Sequence, residues 1–239
     1  HEMELTFMQL QSQIYRGAVP IMEQAANTTY TLPKWVRGSL IGPSNSSLMD
    51  ALFPTAGIVR KALISLLMIC VLVALGRATF YLPDNPVPIT FQTTGVLLMG
   101  GVLGLRWGLL AILVYYFLGM AGIPVFKDGG NGWHYVSSTV TAGYIFGFIA
   151  AVPLIGYLSQ RGWHRSRILW PMLLGNMMIY VPALLWLQIF DFGWPAEGEL
   201  FKSGMYTFLP GDLVKLVIAS LVVGLGWNIS DRLKGRNRQ

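Results

Sequence analysis

Apolar residues along the 239-residue chain gather into six segments, 58–80, 93–105, 107–123, 139–158, 168–190 and 209–229, separated by polar, Pro-rich or Gly-rich breaks. Four of these reach the roughly 20 residues that a helix needs to cross a bilayer. The second is shorter and carries Gly95, Gly100, Gly101 and Gly104. That pattern predicts either a broken, steeply placed helix or a short one packed closely through its glycines. Irregular backbone survives at membrane depth only where protein or a cavity covers it, so this segment and its flanks are a place to look for a site.

Residues 1–56 read differently. They are polar and of mixed charge, no cleavable signal peptide is expected in them, and residues 42–47 have the composition of a linker. Leu5, Met8, Leu10 and Ile14 space as one face of a short helix, so this N-terminal cytoplasmic extension is expected to be a surface helix or a flexible tail. Residues 57–239 form the membrane domain.

Composition narrows the class. The chain is 54% hydrophobic and 12% charged, with a mean hydropathy of +0.53. A water-facing surface needs about twice that charge, and disorder needs far less hydrophobicity. The single cysteine, Cys70, excludes a disulfide framework or a Cys-based metal centre, and the three histidines lie outside the apolar segments. The expected fold is an all-α integral membrane protein, a compact bundle of six transmembrane helices, multi-pass in a cell membrane.

The net charge of +6 sits in short loops rather than on one solvated face, which points to membrane topology and away from nucleic acid. Thirteen basic residues precede segment one or open it (Arg60 and Lys61), follow segment six, or lie between two and three and between four and five. Only Arg77, Lys127 and Lys202 occupy the opposite loops. The positive-inside rule therefore places both termini in the cytoplasm.

Ionisable residues enter an apolar segment at Gly-Asp-Leu-Val-Lys, 211–215. Asp212 and Lys215 are three apart and share a helix face, so they can pair. A charge at membrane depth costs a few kcal/mol and by default marks function; the competing reading is an ion pair tying two helices together. Gln92, Tyr144, Asn176 and Tyr180 add uncharged donors and acceptors from three further segments, a set suited to a polar ligand or to interhelical hydrogen bonds. The Gly-rich loop 124–133 is either a lid over a cavity mouth or an exposed hairpin. Ala74 and Ala78 are a small-x-x-x-small pair at which another helix can approach closely. No phosphate-binding loop, nucleophile elbow or metal-ligand spacing is present, so neither a catalytic residue nor a metal or cofactor is expected.

Asn-Pro-Val-Pro-Ile-Thr-Phe-Gln-Thr-Thr-Gly-Val-Leu-Leu (85–98) and Gly-Met-Ala-Gly-Ile-Pro-Val-Phe (119–126) resemble the BioY family, the biotin-binding S components of energy-coupling factor (ECF) transporters. Thr-Ala-Gly-Tyr-Ile-Phe-Gly-Phe (141–148) and Phe-Leu-Pro-Gly-Asp-Leu-Val-Lys (208–215) follow in the same order and spacing. The resemblance spans roughly 58–230. It implies a biotin-capture subunit taking the vitamin from the non-cytoplasmic side. An ATPase pair and a transmembrane coupling subunit would be the partners. By the same resemblance Gln92, Asn176 and Asp212 read the ureido ring of biotin, and Phe91, Tyr144 and Trp133 supply apolar wall, with Tyr180 beside Asn176. Lys215 is expected at the carboxylate, or jointly with Asp212 at the ureido end, and Ala74 and Ala78 dock the coupling subunit. The alternatives are a solitary biotin transporter and, in a different class, an intramembrane enzyme using Asp212 and Lys215 as acid and base.

Overall fold

The computed structural model describes residues 46–83, 85–163 and 167–236. The helix face expected from Leu5 to Ile14 lies outside them. The first element, α1 (Leu48–Leu52), starts at a reciprocal cap: the Ser47 hydroxyl accepts from the Asp50 amide at 3.2 Å while the Asp50 carboxylate accepts from the Ser47 amide at 3.3 Å. Leu48, Met49 and Ala51 are buried, and the Ser230 hydroxyl donates to the Ala51 carbonyl at 3.1 Å. This short stretch of the 1–56 segment thus packs on the bundle. Lys61 pairs with Asp50 at 2.6 Å. Burial raises the Asp50 carboxyl, but hydrogen bonds from Lys61 and Ser47 outweigh it and hold the group below its ordinary value.

Helix α2 (Ile58–Arg77) buries one narrow stripe, Ser65, Ile69, Leu72 and Gly76, at the spacing of successive helical turns. Ile58, Val59, Leu63, Leu66 and Leu67 face outward, as they can only where the solvent is lipid. A two-residue antiparallel ladder, β1 (Thr79–Phe80) with β2 (Ile89–Thr90), pairs Thr79 with Thr90 and Phe80 with Ile89. It folds the intervening loop back over the bundle.

Helix α3 runs from Gln92 to Met120 with one break, at Gly104, whose φ of 74° and ψ of −170° suit glycine alone. The break is a reversal. Gln92 Nε2 donates to the Tyr115 hydroxyl at 2.5 Å across 23 residues, which a continuous helix would hold about 34 Å apart. Segments two and three of the sequence are therefore two arms of one hairpin. The Leu105 amide donates to the Gln160 side chain at 3.1 Å and secures the tip.

A short helix α4 (Gly132–Ser138) precedes α5 (Ala142–Leu158), α6 (Leu169–Ile189) and α7 (Leu209–Arg236). Helix α5 sits at the centre, packed on α3 on one side and α6 on the other. A Cβ at Gly147 would lie 2.4 Å from the Ile179 carbonyl oxygen, and one at Gly143 2.9 Å from the Ala183 Cα, so these glycines set the α5–α6 distance. Among the described residues five helices are long and apolar enough to cross a membrane: α2, α3, α5, α6 and α7. The six expected segments appear within these five, because α3 doubles back.

Candidate functional site

A cavity of about 610 Å³, open mouth included, lies between α3, α5, α6 and α7 beneath the β2 loop. Gln92, Tyr144, Tyr180, Asp212 and Lys215 all line it. Helix geometry explains how so many arrive together. Asp212 and Lys215 share one face of α7 with Phe208 just before its first turn, and Tyr144, Ile145 and Phe148 share one face at the start of α5 with its N-cap Thr141.

Asp212 and Lys215 are buried, their side chains 5% and 6% exposed. Lys215 Nζ lies 2.9 Å from Asp212 Oδ1 and also donates to the Thr93 hydroxyl at 3.4 Å. The other carboxylate oxygen accepts from Tyr180 Oη at 2.5 Å and Asn176 Nδ2 at 3.1 Å. Three donors on one carboxylate fix its orientation. Because each partner neutralises the other, the pair presents adjacent donor and acceptor groups with no net charge.

The remaining wall is aromatic and aliphatic. Tyr144 packs edge-on against Tyr180 and Phe208 at centroid distances of 6.2 and 6.3 Å, and its hydroxyl donates to the Gly204 carbonyl at 2.6 Å. Val87, Phe208 and Tyr180 form a buried cluster closing this side. Gln92 is spent partly on Tyr115, so its side chain is held rather than free to rotate.

The loop after α3 is anchored. Phe126 is 1% exposed, stacks on Tyr135 at 5.2 Å, and meets the Tyr115 ring edge-on at 5.5 Å. Gly119 and Gly130 leave the space those rings fill. Above it the Tyr81 hydroxyl donates to the Asp128 carboxylate, and Arg77 donates to the Pro124 carbonyl at 2.5 Å. Lys127, from the same turn, lines the cavity and lies over the Tyr81 ring at 5.3 Å. Half-burial pushes its ammonium below the ordinary lysine value, and Asp128 offsets part of that shift. The Asp128 hydrogen bond, helped by partial burial, pushes the Tyr81 phenol up to about 12.

Three expected residues stand away from the cavity surface. Asn176 acts through Asp212. Phe91 precedes the first turn of α3, its amide donating to the Ala78 carbonyl at 3.1 Å. Trp133 is 66% exposed on α4, and Tyr135, two positions on, turns to the cavity instead. Tyr135, Thr93, Phe208 and Lys127 are among the lining residues that sequence reasoning missed. Phe208 carried a signal, since it lies four and seven residues before Asp212 and Lys215 on a helical spacing. Ala74 and Ala78 are exposed at the far end of α2, where their small side chains leave the backbone accessible.

Comparison with known proteins agrees with this architecture. A "Biotin transporter BioY" of Rhizobium etli is 32% identical over 176 residues, covering 68% of this chain and 90% of the relative. A "Probable biotin transporter BioY" of Lysinibacillus sphaericus is 35% identical over 170 residues, covering 70% and 84%. The crystal structure at 2.1 Å of the S-component for biotin from an ECF-type ABC transporter shares the fold, with a TM-score of 0.62 and 24% identity over 70% of this chain and 89% of that one. The family model described as the BioY family matches residues 43–232, so the chain belongs to the BioY family.

Proposed function

We propose that this protein captures biotin from the non-cytoplasmic side of a cell membrane and passes it inward as the substrate-binding subunit of an ECF transporter. It is a transport protein and not an enzyme. A pair of ATPase subunits and a membrane-embedded coupling subunit energise it, the latter docking on α2 around Ala74 and Ala78.

One observation carries the reading: the buried Asp212–Lys215 pair, held by Tyr180 and Asn176, in the wall of a cavity lined mainly by aromatic and aliphatic side chains. Biotin has a neutral head with two N–H donors flanking a carbonyl, an apolar sulfur ring and a carboxylate tail. Asp212 offers an acceptor and Lys215 a donor side by side, which matches the ureido head. Since Lys215 is already neutralised at 2.9 Å, it is a poor counter-ion for a second carboxylate. This supports the ureido reading of Lys215 over the carboxylate one. Lys127, whose ion pair with Asp128 is longer at 3.7 Å, then supplies the positive charge for the tail from the loop at the mouth. Phe208, Tyr144 and Tyr135 enclose the rings.

The test is calorimetric titration of the detergent-purified chain with biotin, wild type against Asp212→Asn. The expected result is one-to-one binding that the variant loses. Folded wild type that gives no heat with biotin refutes the ligand; equal binding by the variant refutes the site.

A further inference from the structure

The turn that carries Lys127 into the cavity wall is strained. Lys127–Gly129 form a single 3-10 turn, with the Gly129 amide on the Phe126 carbonyl at 3.2 Å and the Gly130 amide on the Lys127 carbonyl at 2.9 Å. Within it Asp128 has a φ of 53° and Gly129 one of 79°. Glycine adopts that region freely, but an aspartate there costs about 1 kcal/mol or more. Such a backbone persists only where its surroundings hold it. Asp128 directly follows Lys127, so whatever holds Asp128 also aims Lys127.

The outer contacts on this turn come from the end of α2 and from just beyond β1. Arg77, the last residue of α2, donates from Nη2 to the Pro124 carbonyl at 2.5 Å. Its guanidinium also lies against Gly129, where a Cβ would stand 2.9 Å from Nη1. The planar fork thus spans the turn, meeting it before and after Lys127. Tyr81 donates to the Asp128 carboxylate, and its hydroxyl accepts from Lys127 Nζ at 3.4 Å. On the inner side the buried Phe126 ring is seated on Tyr135. Arg77 itself is exposed and is not among the residues that line the cavity.

We propose that Arg77 is a positioning residue for Lys127: by clamping residues 124–129 it holds the ammonium against the cavity, and so makes the site selective for a substrate whose tail is a free carboxylate over one whose tail is neutral. The inference rests on the reading of Lys127 as the counter-ion of the tail. Lys127 has protons to give in that role. Its Asp128 pairing, at 3.7 Å, is beyond hydrogen-bond distance, and the Tyr81 hydroxyl takes one of its three N–H groups. Without the clamp the strained turn relaxes and draws Lys127 away, while the Asp212–Lys215 pair on α7 stays in place.

The experiment is calorimetric titration of the detergent-purified full chain with biotin and with biotinamide, which has the same rings and a neutral tail. Wild type should prefer biotin by about tenfold or more, the worth of one charge-assisted hydrogen bond. Arg77→Met should weaken biotin by about three- to tenfold and leave biotinamide unchanged, which also reports that the variant is folded. Lys127→Met should remove the preference, and adding Arg77→Met to it should change nothing further. Arg77→Lys reaches one side of the turn and not both, so it should fall between wild type and Arg77→Met, and it gives the same reading at smaller amplitude if Arg77→Met loses its fold. Equal weakening of both ligands, or an Arg77→Met effect that persists in the Lys127→Met background, overturns the positioning role. A wild-type preference that survives in Arg77→Met overturns the inference alone. A wild type that binds both ligands equally refutes the tail assignment and the inference with it.

Discussion

Replacing Lys215 by Met keeps the length of the side chain and removes its charge. Nζ lies 2.9 Å from Asp212 Oδ1, and neither side chain is more than 6% exposed. Breaking a buried pair from one side costs about 3–5 kcal/mol, because the surviving charge is left uncompensated. Here the survivor, Asp212, keeps Tyr180 at 2.5 Å and Asn176 at 3.1 Å on its other oxygen. The cost should therefore fall near the lower end, about 3 kcal/mol. Asp212→Asn strands the ammonium with only the Thr93 hydroxyl at 3.4 Å among its former strong partners, and should cost more. The double variant Asp212→Asn/Lys215→Met has no buried charge. It should recover much of the loss, giving a coupling of about 3 kcal/mol in a double-mutant cycle. Thermal unfolding in detergent, followed by tryptophan fluorescence, reads this as a midpoint separated from the additive expectation by roughly 6–12 °C. Biotin affinity should move differently. Lys215→Met loses one charge-assisted hydrogen bond, about 1.5–3 kcal/mol or roughly ten- to 150-fold, and the double variant recovers none of it. Stabilities that simply add would show the two residues to be uncoupled. Biotin affinity left unchanged in Lys215→Met would remove the pair from the binding site.

Three further outcomes follow from the geometry. Gly104→Ala forces a left-handed conformation on a residue with a Cβ that would sit 2.8 Å from the Ser47 Cβ, so it should lower stability by about 1–3 kcal/mol; an unaltered melt would contradict the hairpin. The raised Tyr81 phenol means that its contact with Asp128 stabilises the loop fully below about pH 10 and is lost as pH rises through about 12. Ultraviolet titration of Asp128→Asn against wild type should show one phenol ionising earlier, and superimposable curves would deny the contact. Ala74→Trp should leave biotin binding intact and abolish uptake in cells that express the partner subunits. Lost binding in that variant would place α2 in the substrate site instead of the docking surface.

Much of the site was legible because the membrane makes polar residues conspicuous. Asp212, Lys215, Asn176 and Tyr180 stand in apolar segments where each needs a partner, and helical spacing alone puts Asp212 beside Lys215 and Asn176 beside Tyr180. The structure then joins the two pairs across α6 and α7. The aromatic wall was less legible. Trp133 and Tyr135 are equally plausible by composition. Which one turns inward is decided by Phe126, which stacks on Tyr135 and is itself seated in the gap left by Gly119. A seven-residue helix has too few apolar positions to declare a buried face. Residues 46–52 illustrate the same limit: their polar flanks read as linker, while burial of Leu48 and Met49 depends on α7 being alongside.

The sequence by itself determined the class, the family and the residues that carry charge into the bundle. Each of these rests on spacing within one segment or on composition, and both are local properties. Tertiary structure decided how segments two and three meet and which ring closes the cavity. Those outcomes depend on a single positive φ at Gly104 and on helix approaches set by missing side chains at Gly143 and Gly147, and their consequences appear only between segments distant in the chain.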